Sequence, residues 1–142
     1  MSIDFKIVPM EQWWHLEHSI KLAIDTLDSD KIKNIRKELT HPDSFYFVAL
    51  VNGGVKGFAG YKTTHVNPFI YEFPWCVVHP DYQRKGLGRA LTGTRIQEIR
   101  NKNGQAIILT TGKPEVYEKY GFELLKKLPG EYWANHFMMM VL

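Results

Sequence analysis

The apolar positions change period several times along the chain, and each change marks an element. Ile3 to Val8 alternates apolar and polar residues and reads as a short strand, with Pro9 placed for a helix start. From Met10 the period turns helical: Trp13, Trp14, Leu16, Ile20, Ala23, Ile24 and Leu27 form one stripe. A second helical piece with Ile32, Ile35 and Leu39 follows Asp28-Ser29-Asp30 and stops before Pro42. Phe45 to Val51 and Val55 to Tyr61 flank Asn52-Gly53-Gly54, residues that tolerate the positive φ of a tight turn, so a hairpin is expected. Phe69 to Val78 is rich in aromatic and β-branched residues and long enough for a central strand. Pro74 inside it has no N–H to give a ladder, so that side lacks a neighbour there or the strand bulges.

Helical periodicity returns at Leu87, Leu91, Ile96 and Ile99 and ends at Asn103-Gly104, a left-handed cap signal. Ala106 to Leu109 reads as a short buried strand and Pro114 to Tyr120 as a short helix closed by Gly121. Phe122 to Leu125 and Tyr132 to Leu142 are the last strands, around a Pro129-Gly130 turn. The order β-α-α-β-β-β-α-β-α-β-β predicts an α/β fold with a mixed α+β sheet.

Composition narrows the function classes. A chain of 142 residues, 44% of them hydrophobic, suits one domain over 1–142 with a real core. It shows no run long enough to cross a bilayer and no leader pattern, so a soluble cytoplasmic protein with no membrane partner is expected. Cys76 is the only cysteine, which excludes an intrachain disulfide and a cysteine-based metal cluster. The net charge of +3 is small and interleaved, so composition makes no case for a nucleic-acid partner but permits a local site for a small polyanion. The histidines are scattered; His15 and His18 on the first helix read as surface residues, and no metal site is expected.

Chemistry concentrates in HPDYQRKGLGRAL, residues 79–91. Gly86 and Gly88 lie between a central strand and a helix start, where unpaired N–H groups and the helix dipole favour an anion. Glycines let backbone approach a ligand closely, and Gln83, Arg84, Lys85 and Arg89 add donors and charge suited to phosphate. The Gly-Lys-Ser/Thr ending of a Walker loop is missing, and so is the spacing of a dinucleotide fingerprint. Glu72 is the only carboxylate in the central strand; among Tyr71, Phe73, Pro74 and Trp75 it is either a buried, raised-pKa base or a carboxylate that faces solvent or pairs with a lysine.

Val77-Val78-His79-Pro80-Asp81-Tyr82-Gln83-Arg84-Lys85-Gly86-Leu87-Gly88 resembles the Val-x-Pro-x-x-Gln/Arg-x-x-Gly-x-Gly/Ala motif of the GNAT superfamily of acyl-CoA-dependent N-acyltransferases. Tyr117-Glu118-Lys119-Tyr120-Gly121-Phe122 resembles its second signature, Tyr-Glu-Lys-x-Gly-Phe. The resemblance covers nearly the whole chain and implies the GNAT fold, with acetyl-CoA as co-substrate and a primary amine as acceptor. It implies that the N–H groups from Arg84 to Gly88, Leu87 included, hold the CoA pyrophosphate. It also implies an oxyanion N–H around Cys76 or Val77, and a pantetheine arm in the gap between this strand and Ala106 to Thr111, near Val78 and Thr110.

By the same resemblance Tyr117 is the general acid toward the departing sulfur, with Tyr120 as its substitute, and Glu72 stands where some members carry a base. Thr110 and Lys113 depart from the Asn and Ala the family often has seven and four residues before its acid tyrosine, which alters the start of that helix. Trp13, Trp14, Phe69, Tyr132 and Trp133 read as core, some of them shaping an acceptor cavity edged by the first helices and the turn before the last strand. The resemblance also allows a homodimer. Two other readings stay open at this point: an acyl-CoA sensor or interaction module without turnover, and a nucleic-acid contact through the basic loop, which would show steep salt dependence.

Overall fold

The computed structural model describes residues 3–27, 32–130 and 134–142. Along the chain run strand β1 (Lys6–Pro9), helices α1 (Trp13–Thr26) and α2 (Ile35–Leu39), strands β2 (Ser44–Val51), β3 (Gly54–Thr63), β4 (Ile70–Glu72) and β5 (Cys76–Val78). Then come helix α3 (Leu87–Asn101), strand β6 (Ala106–Thr111), helix α4 (Pro114–Glu118) and strands β7 (Glu123–Lys127) and β8 (His136–Val141). A single 3-10 turn, Pro80–Tyr82, precedes the glycine loop. The break at Asp28-Ser29-Asp30 and the aromatics Tyr132 and Trp133 lie outside the described residues.

Among the described residues the strands form one eight-stranded mixed sheet in the order β1-β2-β3-β4-β6-β8-β7, with β5 paired to β3 alone and β4–β6 the only parallel pair. The turn residues Asn52 and Gly53 take φ of 50° and 79°, which closes the β2–β3 hairpin where the sequence places it. Alternation along β2 sends Phe47, Ala49 and Val51 to one face and Tyr46 and Val48 to the other. Leu87, Leu91 and Ile99 of α3 pack on the first face, and Ile20, Leu22 and Ala23 of α1 with Ile35 and Leu39 of α2 pack on the second.

Three expectations change. Pro9 ends β1 instead of opening a helix, and α1 begins at Trp13 with Gln12 as its cap residue. Trp13 is 75% exposed and Phe69 49%, so neither is core. His15 is buried, and its Nδ1 accepts the Gln12 N–H at 3.2 Å and the Glu11 N–H at 3.3 Å, satisfying donors that a helix start leaves over.

Candidate active site

The expected central strand Phe69–Val78 is two strands, and the reason is Pro74. Lys62 of β3 opposes Glu72, but Ala59 opposes Cys76, so the register slips by one residue across Phe73-Pro74-Trp75. Before the bulge, β4 stays in the sheet beside β6, and Phe73 N still donates to Ile108 O at 3.0 Å. Beyond it, β5 follows β3 and leaves β6, which opens a wedge between β5 and β6.

Hydrogen-bonding parity fixes which groups of β5 face that wedge. Gly60 N donates to Trp75 O and His79 N to Lys56 O, so Val77, midway between them, spends its N–H and carbonyl on β3. Cys76 and Val78 point the same groups away from β3. Val77 is therefore no candidate for the oxyanion or for cofactor contact: its main chain is paired and its side chain is buried against α1. Cys76 keeps its place, and Val78 O accepts from Gln83 Nε2 at 3.3 Å.

A cleft of about 760 Å³ fills the wedge and runs over the glycine loop. Its β5 lip carries Cys76 and Val78, its floor Gln83, Arg84, Gly86, Gly88 and Arg89, and its far lip Lys113, Val116, Tyr117 and Tyr120. Arg84 and Gly86 take positive φ (61° and 95°), turning the chain into α3, where Ala90 N is the first amide to reach an acceptor in the turn before it, Gly86 O at 3.0 Å. The N–H groups just ahead of it are the ones that a helix leaves without internal partners. A Cβ on Gly88 would meet only Val78 Cγ2 at 4.0 Å, so the fold itself does not require glycine there. The basic floor and that open approach fit a diphosphate. Leu87 is fully buried and could serve only through its main chain; Lys85 does not line the cleft, and neither does Thr110.

A second cavity, about 360 Å³, lies on the other side of the bulge. Glu72, Phe73, Pro74 and Trp75 line it, with Leu27 from the end of α1, Glu38 of α2, Lys62 of β3, Thr110 and Thr111 of β6, and Ala134 ahead of β8. Cys76 and Tyr117 line both cavities, so the two meet at the strand end and the phenol. Glu72 is less enclosed than its neighbours suggest: its side chain is 38% exposed and its Oε2 lies 3.9 Å from Lys62 Nζ. The same ammonium reaches Glu38 Oε1 at 3.7 Å.

Tyr117 is partly buried, its ring edge-on to Phe122 at 5.8 Å. Burial pushes its phenol up to about 12; proximity to Cys76 adds to the shift and the Arg95 guanidinium opposes it. The group is thus protonated across the neutral range and is a standing hydrogen-bond donor at the junction.

Three residues at this site escaped the sequence reading. Arg95 continues the i, i+4 series Leu87, Leu91, Ile99 and is as buried as they are; a charge in that series was the available signal. Glu38 sits on a five-residue helix and Lys62 near the end of a strand, and no local pattern marks either.

The same architecture recurs in solved structures. A putative GNAT-family acetyltransferase from Desulfovibrio desulfuricans superposes with a TM-score of 0.80 at 18% identity over 97% of both chains. The PaiA N-acetyltransferase of Thermoplasma acidophilum, solved with coenzyme A, gives 0.75 at 15% identity over 99% of this chain and all of its own. The ribosomal-protein-S18-alanine N-acetyltransferase of Escherichia coli gives 0.75 at 19% identity over 97% and 94%. No curated protein sequence matches the chain. No helix among the described residues is long and apolar enough to cross a membrane. Residues 42–124, more than half of the chain and both lips of the cleft, match the family model of the acetyltransferase (GNAT) domain, so the chain belongs to the GNAT acetyltransferase family, whose fold supports acyl transfer from acyl-CoA.

Proposed function

We propose that the protein is a single-domain N-acetyltransferase that moves an acetyl group from acetyl-CoA to a primary amine by direct attack in a ternary complex. The observation that carries this reading is the meeting of two cavities at Cys76 and Tyr117, one floored by the basic glycine loop and the other lined by carboxylates. The first is shaped for a nucleotide diphosphate with a thin arm running into the wedge. The main-chain groups of Cys76 and the N–H of Val78, turned away from β3, give that arm partners.

The amine enters beside Glu38 and Glu72, which attract it as a cation, and it competes with the Lys62 ammonium for their oxygens. Glu72, directly or through water, takes the proton that frees the nitrogen lone pair. The nitrogen attacks the thioester carbon, and the carbonyl oxygen, gaining charge, turns to the Cys76 N–H at the strand end. The C–S bond then breaks with its electrons on sulfur, the Tyr117 hydroxyl gives its proton to that sulfur, and the surplus proton on the attacking nitrogen passes, directly or through water, to the Tyr117 phenolate and restores the phenol. An amide and the free thiol leave. Glu38 was not foreseen and belongs to acceptor binding; Tyr120 lines the cleft three residues on and does not border the acceptor cavity.

Acetyl-CoA titration by calorimetry, followed in the same sample by thiol release on adding a panel of amines, tests this. Binding with release for some amines is expected. Binding with no release across small amines, polyamines, amino acids and lysine peptides would leave a sensor on the same fold, and no binding would overturn the cleft assignment.

A further inference from the structure

Helix α3 buries Leu87, Leu91, Arg95 and Ile99 in register, each with no exposed surface. An aliphatic residue would complete that stripe, whereas a guanidinium taken out of water must be compensated. Arg95 is compensated without any acid. Nε donates to Leu91 O (3.3 Å), Nη1 to Gly60 O (3.1 Å) and Nη2 to Thr92 Oγ1 (3.1 Å), and the Phe73 ring centroid lies 3.8 Å from the guanidinium carbon. No carboxylate among the described residues forms an ion pair with it.

Two of those contacts sit at the split in the sheet. Gly60 N pairs with Trp75 O, but the Gly60 carbonyl, which a regular antiparallel pair would return to Trp75, is held by Arg95. Tyr46 closes Gly60 from another side: a Cβ there would stand 2.6 Å from its ring, so the position admits only glycine. Phe73, the other contact, is part of the bulge. Toward the ligand, Thr92 lines the cofactor cleft together with Tyr117, and Phe73, Phe122 and Tyr117 follow one another in a tilted and an edge-on contact with ring centroids 5.7 and 5.8 Å apart. The groups that feel this charge are Tyr117 of α4 and Tyr46 of β2; Tyr117 also faces Cys76 and Tyr120.

We propose that Arg95 is a positioning residue for the transfer: it takes the strand carbonyl freed by the bulge, which keeps the wedge open, and it holds a positive charge that no carboxylate among the described residues pairs with, behind Tyr117 where the sulfur departs as a thiolate. The guanidinium gives up no proton. Its field favours the thiolate over the thioester and makes the Tyr117 hydroxyl a better donor to it. This rests on reading the cleft as a coenzyme A site.

The test uses coenzyme A itself, so no acceptor need be known. Bound-thiol titration is followed by thiolate absorbance in the parent, Arg95→Met and Arg95→Lys. With Met, the bound-thiol titration moves up by on the order of one pH unit, and turnover with any accepted amine falls more than its KM for acetyl-CoA rises. Lys, which keeps the charge, restores most of that shift. If Arg95→Met does not fold, Arg95→Gln carries the same expectations. An unshifted titration in a folded neutral variant that still binds coenzyme A overturns the role of Arg95 alone. Failure of the parent to bind coenzyme A overturns the underlying reading and this one with it.

Discussion

At the scale of single residues, the acid role proposed for Tyr117 and the base role proposed for Glu72 make opposite demands. Tyr117 must remain protonated until sulfur leaves, and burial supplies that by lifting the phenol to about 12. Tyr117→Phe keeps the ring against Phe122 and removes only the hydroxyl. Turnover should fall on the order of 10²-fold, the low end for a lost general acid, with coenzyme A affinity within about twofold; steady-state kinetics beside calorimetry checks both. Glu72 must accept a proton, and its half-open setting beside Lys62 keeps it reachable by solvent and by the amine. Glu72→Gln should lower kcat/KM for the amine on the order of 10²-fold through kcat. A change in amine affinity alone, with kcat intact, would make Glu72 an acceptor-binding carboxylate and remove it as the base.

At the scale of elements, helix starts make two predictions of different kinds. Helix α1 is capped by a buried imidazole, and burial holds His15 below its ordinary 6.5, with Glu11 opposing and His18 assisting. A folded pKa below the unfolded one means that stability is full above 6.5 and declines as pH falls toward the folded value, because the unfolded chain takes up the proton first. His15→Gln should cost about 1 kcal/mol near neutrality and flatten that decline, as urea midpoints on either side of pH 6.5 would register. Helix α3 starts at glycines. Gly86 makes a poor probe, since its φ of 95° strains any replacement. Gly88 has open space instead, so Gly88→Leu should leave the melting temperature nearly unchanged while weakening coenzyme A at least tenfold; retained affinity would mean that no phosphate approaches there.

These elements were legible where their causes are local. The Asn52-Gly53 hairpin, the α3 period and the Gly121 stop depend on a few adjacent residues, and they fall within a few positions of expectation. The division of residues 69–78 into β4 and β5 was not legible beyond the anomaly of Pro74, because it depends on β6, more than thirty residues on, pairing with one half and not the other. The site divides the same way. The basic loop and Tyr117 stand in motifs, but Glu38, Lys62 and Arg95 reach the site only through the folding of α2, β3 and α3 onto one bulge.

At the scale of the whole molecule, the wedge makes the two lips of the cleft mechanically separate near the glycine loop. Within the sheet β5 pairs with β3 alone among the described residues, whereas β8 and β7 are built on β6 and α4 packs on β7. A ligand lying along the cleft therefore joins halves that the sheet leaves apart at that end. Coenzyme A at 100 times its Kd should stabilise the fold by about 2.7 kcal/mol, raising the melting temperature by several degrees. The pattern of protection identifies which part of the ligand does it. Adenosine diphosphate should reach only the basic floor and slow amide exchange at residues 84–90. Coenzyme A, with its arm in the wedge, should in addition protect Cys76 and Val78 on one lip and residues 116–120 on the other. Equal protection of both lips by the diphosphate alone would put the nucleotide in the wedge and reverse the ligand's orientation. Tyr117 and Cys76 would then face phosphate instead of sulfur, and the acid and oxyanion roles proposed for them would fall together.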